Sequence, residues 1–125
     1  ILEYNDIKLG FIATSYSALN DNAKANKPNV ARMQDVSRLK STLDELKPKV
    51  DFIIVAMHGG TEYTYKPNNL QKTFARTAID AGADMVIGAH PHWIQTIEKY
   101  NGKYIFYSLG NFIFDQEWSK ETKEG

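Results

Sequence analysis

The chain has 125 residues, with 15 Lys+Arg against 15 Asp+Glu and a formal net charge of +0. That length suits one compact domain or part of a larger one and is too short for two, while the balanced charge argues against an electrostatic appetite for nucleic acid or an anionic membrane surface. Hydrophobic residues at 42% suffice for a core, and 0 Cys excludes disulfides, thiolate metal sites and a cysteine nucleophile.

Ile7 to Tyr16 is apolar and β-branched and predicts a strand. Ser17 to Asn29, rich in Asn, Ala and Lys, predicts a loop. Val36, Leu39, Leu43 and Leu46 recur at helical spacing, with Asp35 placed to cap the helix and Pro48 to stop it. Val50 to Met57 reads as a buried parallel strand. Its apolar core, Phe52 to Met57, is far too short to span a bilayer. Leu70, Phe74 and Ala78 mark the inner face of a second helix, capped by Asn68 or Asn69 and closed at Gly82. Met85 to Ile87 is another short strand.

Strand, helix, strand makes a parallel βαβ unit with a right-handed crossover. A hairpin follows, its arms Trp93 to Lys99 and Lys103 to Ser108 joined through the Asn101-Gly102 step. Phe112 to Phe114 predicts a short strand or turn, and from Glu117 the polar tail is expected to fray. The fold class is therefore α/β, as a single unit over residues 1–125 without internal repeat or linker. No signal peptide opens the chain. It starts at Ile1 rather than Met, which reads as a piece of something longer.

All three histidines follow parallel strands: His58 after the first strand of the βαβ unit, His90 and His92 after the second. In open α/β sheets the carboxyl ends of neighbouring strands border one crevice, where ligands bind. Pro91 is expected to hold His90 extended, so that His90 and His92 project to one side. Gly59, Gly60 and Gly88 leave room around the imidazoles. Neutral imidazole ligates Zn, Mn, Fe, Co or Ni, and Glu62 and Asp115 are candidate carboxylate partners. The bland alternative is three ordinary polar loop residues. Ser108 lacks a base partner for a triad, and no Gly-rich phosphate loop occurs.

Three ordered motifs carry a resemblance. They are His58-Gly59-Gly60-Thr61-Glu62-Tyr63; Gly88-Ala89-His90-Pro91-His92 with Gln95; and Tyr107-Ser108-Leu109-Gly110-Asn111-Phe112-Ile113-Phe114-Asp115. With Asp80-Ala81-Gly82-Ala83-Asp84 between them, they resemble the bacterial capsule-synthesis family, also called the poly-γ-glutamate CapA family. That family is itself similar to the calcineurin-like metallophosphoesterases. The resemblance implies a four-layered α/β/β/α sandwich with divalent metal ions (Mn, Zn or Fe, two in the intact protein) at the strand ends. His58, His90 and His92 would be catalytic metal ligands, with His90 and His92 on neighbouring ions. Glu62, Asn111 and Asp115 would stand behind them or touch substrate.

It further implies phosphoester hydrolysis in the service of poly-γ-glutamate capsule synthesis. The location would be the cell envelope, on the extracellular face of the cytoplasmic membrane. The partners would be an anionic polymer or phosphoester substrate and membrane-bound synthase subunits. Two alternatives are a non-catalytic accessory subunit of the synthase and a metal-dependent amide hydrolase acting on the polymer.

The superfamily's early Asp motif, its Gly-Asp motif and its Asn-Glu or Asn-His step do not precede Val50. The chain thus reads as the carboxyl-terminal half of the family domain. On its own it is expected to be inactive and to self-associate through exposed apolar surface.

Overall fold

The sheet is set by three stretches whose side chains alternate between two faces, and by two helices that cover only one of them. The computed structural model describes residues 1–16, 30–112 and 118–124. The expected loop 17–29, the expected strand or turn at 113–114 and Asp115 lie outside these.

Strand β1 (Leu2–Tyr4) pairs antiparallel with β2 (Ile7–Ser15). Asn5 and Asp6 turn the chain with φ of 48° and 64°, as a tight two-residue hairpin turn requires. Helix α1 (Val36–Leu46) is capped by Asp35, whose side chain accepts from the Arg38 N–H at 3.0 Å. A 3-10 turn over Lys47–Lys49, carrying Pro48, ends it and leads into β3 (Phe52–His58).

Helix α2 (Asn69–Asp80) starts in a reciprocal capping box. The Asn68 side chain accepts from the Gln71 N–H, and the Gln71 side chain accepts from the Asn68 N–H, each at 3.0 Å. The helix ends with Gly82 N–H on the Ile79 carbonyl and Ala83 N–H on the Ala78 carbonyl, the left-handed stop that Gly82 suggests. Then come β4 (Met85–Ala89), β5 (Ile97–Tyr100), β6 (Lys103–Phe106) and a short helix α3 (Lys120–Glu124). The tail read as fraying from Glu117 thus carries a helical turn with Thr122 buried. Among the described residues no helix is long and apolar enough to cross a membrane.

The six strands form one sheet in the order β1-β2-β3-β4-β6-β5. Strands β2, β3, β4 and β6 run parallel, and β1 and β5 close the edges antiparallel. Two crossovers are present, β2-α1-β3 and β3-α2-β4. Leu39 and Leu43 of α1 and Phe74, Ala75, Ala78 and Ile79 of α2 form one core with Ile53, Val55, Met57, Val86 and Ile105. Asp84 secures the start of β4: its Oδ2 accepts from the Ile53 N–H at 2.9 Å, and its other oxygen pairs with Lys103.

The other face of the sheet is also apolar. Register places Leu9, Phe11 and Ala13 of β2 beside Phe52, Ile54 and Ala56 of β3. Met85 and Ile87 of β4, and then Tyr104 and Phe106 of β6, continue the row. Phe11 is 53% exposed, Tyr104 47% and Ile97 of β5 60%. A sheet that is apolar on both faces is built to be covered on both. The sheet with its two covering helices has the layering of an α/β sandwich.

Candidate functional site

Register brings the histidines together. At the carboxyl end of the sheet Ser15 pairs with His58, and His58 pairs with Ala89. The next residue after Ala89 is His90, so β3 and β4 deliver their imidazoles side by side. The His58 and His90 ring centroids lie 5.0 Å apart, and those of His90 and His92 lie 6.3 Å apart. His58 is exposed at the strand end, while His90 and His92 are half-buried.

The backbone does this differently from the sequence expectation. His90 has φ of 101° and His92 φ of 63°, so His90-Pro91-His92 is not the extended segment that a residue before proline favours. Tertiary contacts override the local preference. Pro91 is buried, and its carbonyl accepts from the Tyr63 N–H at 2.9 Å. Gly59 N–H donates to the Ala89 carbonyl at 3.1 Å, joining the two histidine-bearing loops directly. Non-glycine residues at positive φ cost on the order of 1 kcal/mol each and persist where their surroundings hold them.

Two buried glutamines lock the same loops from beneath. Gln71 Nε2 donates to Gln95 Oε1 at 2.8 Å and to the Tyr107 carbonyl at 3.2 Å. Gln95 Nε2 donates to the carbonyls of Thr64 at 3.0 Å and Lys66 at 3.2 Å. This ties the loop after β3, the start of α2, the loop after β4 and the end of β6 into one unit.

The His58 pKa lies below its ordinary value. Partial desolvation of the ring, although the residue as a whole is exposed, is the main cause, followed by the neighbouring charges of His90 and His92 when protonated. The shift favours the neutral form that ligates cations. Beyond it, Tyr63 stacks on His92 with centroids 5.6 Å apart and planes 18° apart. His92 Nδ1 lies 2.9 Å from Asn111 Oδ1.

Of the candidate residues, then, His58, His90, His92 and Asn111 are gathered in one place. Glu62 is an exposed residue of the loop after β3, and Asp115 lies outside the described residues. Among the described residues no three His, Asp or Glu side chains converge as a group able to hold one ion. Sequence reasoning did not single out Gln71 or Thr122, and Tyr63 figures there only as the last residue of the His58 motif. Gln71 was visible only as the third residue after a capping Asn, and its second role depends on a tertiary contact.

The fold and site define an α/β domain that presents clustered imidazoles at the carboxyl ends of adjacent parallel strands. The chain belongs to the family described as bacterial capsule synthesis protein PGA_cap, whose profile matches residues 1–116. It is 45% identical over 112 residues to the PGA biosynthesis protein CapA of Bacillus subtilis, covering 90% of this chain and 29% of that protein. It is 42% identical over 92 residues to the capsule biosynthesis protein CapA of Bacillus anthracis, covering 74% and 21%. A probable polyglutamine synthesis accessory protein of Mycobacterium tuberculosis is 31% identical over 118 residues, covering 87% and 31%. The chain therefore spans less than a third of the length of each of these relatives.

Proposed function

We propose that this chain is the histidine-bearing part of a metal-dependent phosphoester hydrolase serving poly-γ-glutamate capsule synthesis at the cell envelope. The carrying observation is the meeting of His58, His90 and His92 at the ends of adjacent parallel strands. The capsule role is supported by the names of the Bacillus relatives.

The donor set can be tested by distance. A ligating imidazole puts its centroid about 3.2 Å from a zinc ion, given a Zn–N bond of about 2.0–2.1 Å plus the ring radius. Two rings on one ion at near-tetrahedral angles then lie about 5 Å apart, with an upper limit near 6.4 Å. The His58–His90 spacing of 5.0 Å fits a shared ion. The His90–His92 spacing of 6.3 Å sits at the limit and suits neighbouring ions better. On this reading the described residues would supply part of a two-ion ligand set, to be completed by further donors.

When bound, Mn, Zn or Fe at this position supplies the charge that polarises a phosphoryl oxygen and acidifies water. The chain's own residues do the rest. His58, whose pKa is shifted toward the neutral ring, would offer a lone pair to a cation. The Gln71–Gln95 bridge holds both histidine loops in one geometry. An imidazole left uncoordinated would serve to protonate a leaving oxygen.

The test is metal analysis of the full-length protein together with hydrolysis of an aryl phosphate in Mn or Zn. About two ions per chain, and activity abolished by His90→Ala, support the reading. A metal-loaded protein that stays inactive on phosphoesters counts against it. A second reading, a non-catalytic accessory subunit of a membrane-bound synthase, is favoured by the name of the mycobacterial relative. It predicts co-purification with synthase subunits that His90→Ala leaves intact.

A further inference from the structure

Helix α3 is short and polar, with Lys120 and Lys123 exposed, yet its segment is pinned at three points, twice to the loop after β3 and once to Asn111 beside His92. Tyr65 Oη donates to Glu121 Oε1 at 2.9 Å. Trp118, just before the helix, meets Tyr63 edge-on at 6.1 Å, and Tyr63 is the ring stacked on His92. The Thr122 carbonyl accepts from Asn111 Nδ2 at 3.0 Å. Thr122 itself is 1% exposed. Its hydroxyl accepts from the Ser119 N–H at 3.0 Å and donates to the Ser119 carbonyl at 2.9 Å, while its own N–H donates to Ser119 Oγ at 3.3 Å. The helical turn is therefore fastened before it fastens anything else.

These contacts determine a proton position. A backbone carbonyl only accepts, so the group that Asn111 turns toward Thr122 must be its NH2. Its carbonyl oxygen then faces His92 Nδ1, and that oxygen also only accepts. Nδ1 must carry the hydrogen, which places the neutral ring's lone pair on Nε2. We propose that α3 is a working part of the histidine site: through Asn111 it fixes His92 as the Nδ1–H tautomer and makes Nε2 the ligating or proton-accepting nitrogen. Free imidazole side chains in water favour the opposite tautomer, so the protein inverts the intrinsic preference. Asn111 and Thr122 are positioning residues, of the kind that orient ligating histidines through the second ring nitrogen. The importance of this tautomer rests on the cation-site reading above, but the assignment itself does not.

The experiment is long-range ¹H–¹⁵N correlation of the imidazoles in full-length protein labelled at histidine, without added metal and above the imidazole titration range. The expected spectrum gives His92 a protonated Nδ1 and an unprotonated Nε2. Asn111→Leu removes the acceptor and should move His92 to the Nε2–H form. Asn111→Asp keeps an acceptor and should preserve Nδ1–H, a rescue that a merely structural residue would not show. Thr122→Ala loosens α3 and should bring the tautomers into exchange.

An Nε2–H signature at His92 in the wild-type protein overturns the proposal without any variant being made. So does an Nδ1–H signature that survives Asn111→Leu. Persistence of a single Nδ1–H form in Thr122→Ala, while the α3 amides lose hydrogen-exchange protection, overturns the part assigned to the helix. Zn²⁺ titrated into the same samples reads the cation site separately. Imidazole resonances that do not move on titration would sink the metal reading, while the wild-type spectrum still decides the tautomer.

Discussion

Gly88 is the residue on which β4, β6 and the histidine loop depend together, and replacing it with alanine is the sharpest test of the fold. A Cβ at Gly88 would stand 1.9 Å from the Tyr107 carbonyl oxygen and 2.6 Å from its carbon, where real Cβ atoms stay beyond 3.0 Å. Backbone, not a flexible side chain, is in the way. The two strands must therefore part by roughly 1 Å, an overpacking that costs about 1–3 kcal/mol or more. The same carbonyl accepts from buried Gln71 Nε2 at 3.2 Å. Pulling it away strains a buried polar bridge, for about 1–3 kcal/mol more.

Together the two effects amount to about 2–6 kcal/mol, a large share of a typical total of 5–15 kcal/mol. At a urea slope of about 2 kcal/mol/M, the Gly88→Ala midpoint should fall by about 1–3 M. Gly102→Ala is the comparison. Nothing lies within 4 Å of its Cβ position, but its φ is +79°, so it should cost only about 1 kcal/mol. A Gly88→Ala protein within about 1 kcal/mol of wild type, or more stable than Gly102→Ala, would refute the reasoning.

Three further outcomes follow from the site and the sheet. At His90, φ of 101° makes glycine a better host than alanine once the ring is gone; His90→Gly should melt higher than His90→Ala by the equivalent of about 1 kcal/mol, and the reverse order would show that the backbone is not strained there. The depressed His58 pKa means that the unfolded state takes up a proton at higher pH than the native state does. Stability should therefore be complete above about 6.5 and fall as pH drops below it. A thermal-shift profile should show this slope, and His58→Gln should flatten that part of it. Finally, this chain expressed alone should self-associate through its uncovered sheet face. Phe11→Lys together with Ile54→Lys should lower the apparent mass in sedimentation, and a monomeric parent chain would defeat the idea.

Much of the architecture was legible because local signals and tertiary demands agreed. Asp35, Asn68 and Gly82 mark helix ends by hydrogen-bonding chemistry that acts over three or four residues, and the helices begin and end there. The Asn101-Gly102 step gave the β5–β6 hairpin. Strand β1 was missed because its turn, Asn5-Asp6, carries no glycine. α3 was missed because five polar residues have no periodicity to read, and what holds them is Thr122 against Ser119.

The histidines were placed correctly at the strand ends, but the conformation of His90-Pro91-His92 was not. The proline's steric preference is local, whereas the hydrogen bond from Tyr63 to the Pro91 carbonyl comes from another loop. The same limit hid the Gln71–Gln95 bridge, whose partners are 24 residues apart.

The uncovered face and the imidazoles are one problem rather than two. Along β3, Phe52, Ile54, Ala56 and His58 point to the same side of the sheet, because alternate residues of a strand do. Their neighbours Met85, Ile87 and Ala89 on β4 share that side. The apolar row thus runs directly up to His58, on the face opposite the helix-covered core. A second sheet of the kind the family resemblance implies would bury Phe11, Ile54 and Ile87 by packing on them, and would bring its own strand ends to the edge where His58 stands. On the proposed metal reading, burial of that face and completion of the donor set would be a single event. On this reasoning, weakening the apolar contact, for example by Ile54→Ala, should lower metal affinity even though residue 54 holds no donor atom. Unchanged affinity in a variant whose stability has fallen would separate the two and break the argument.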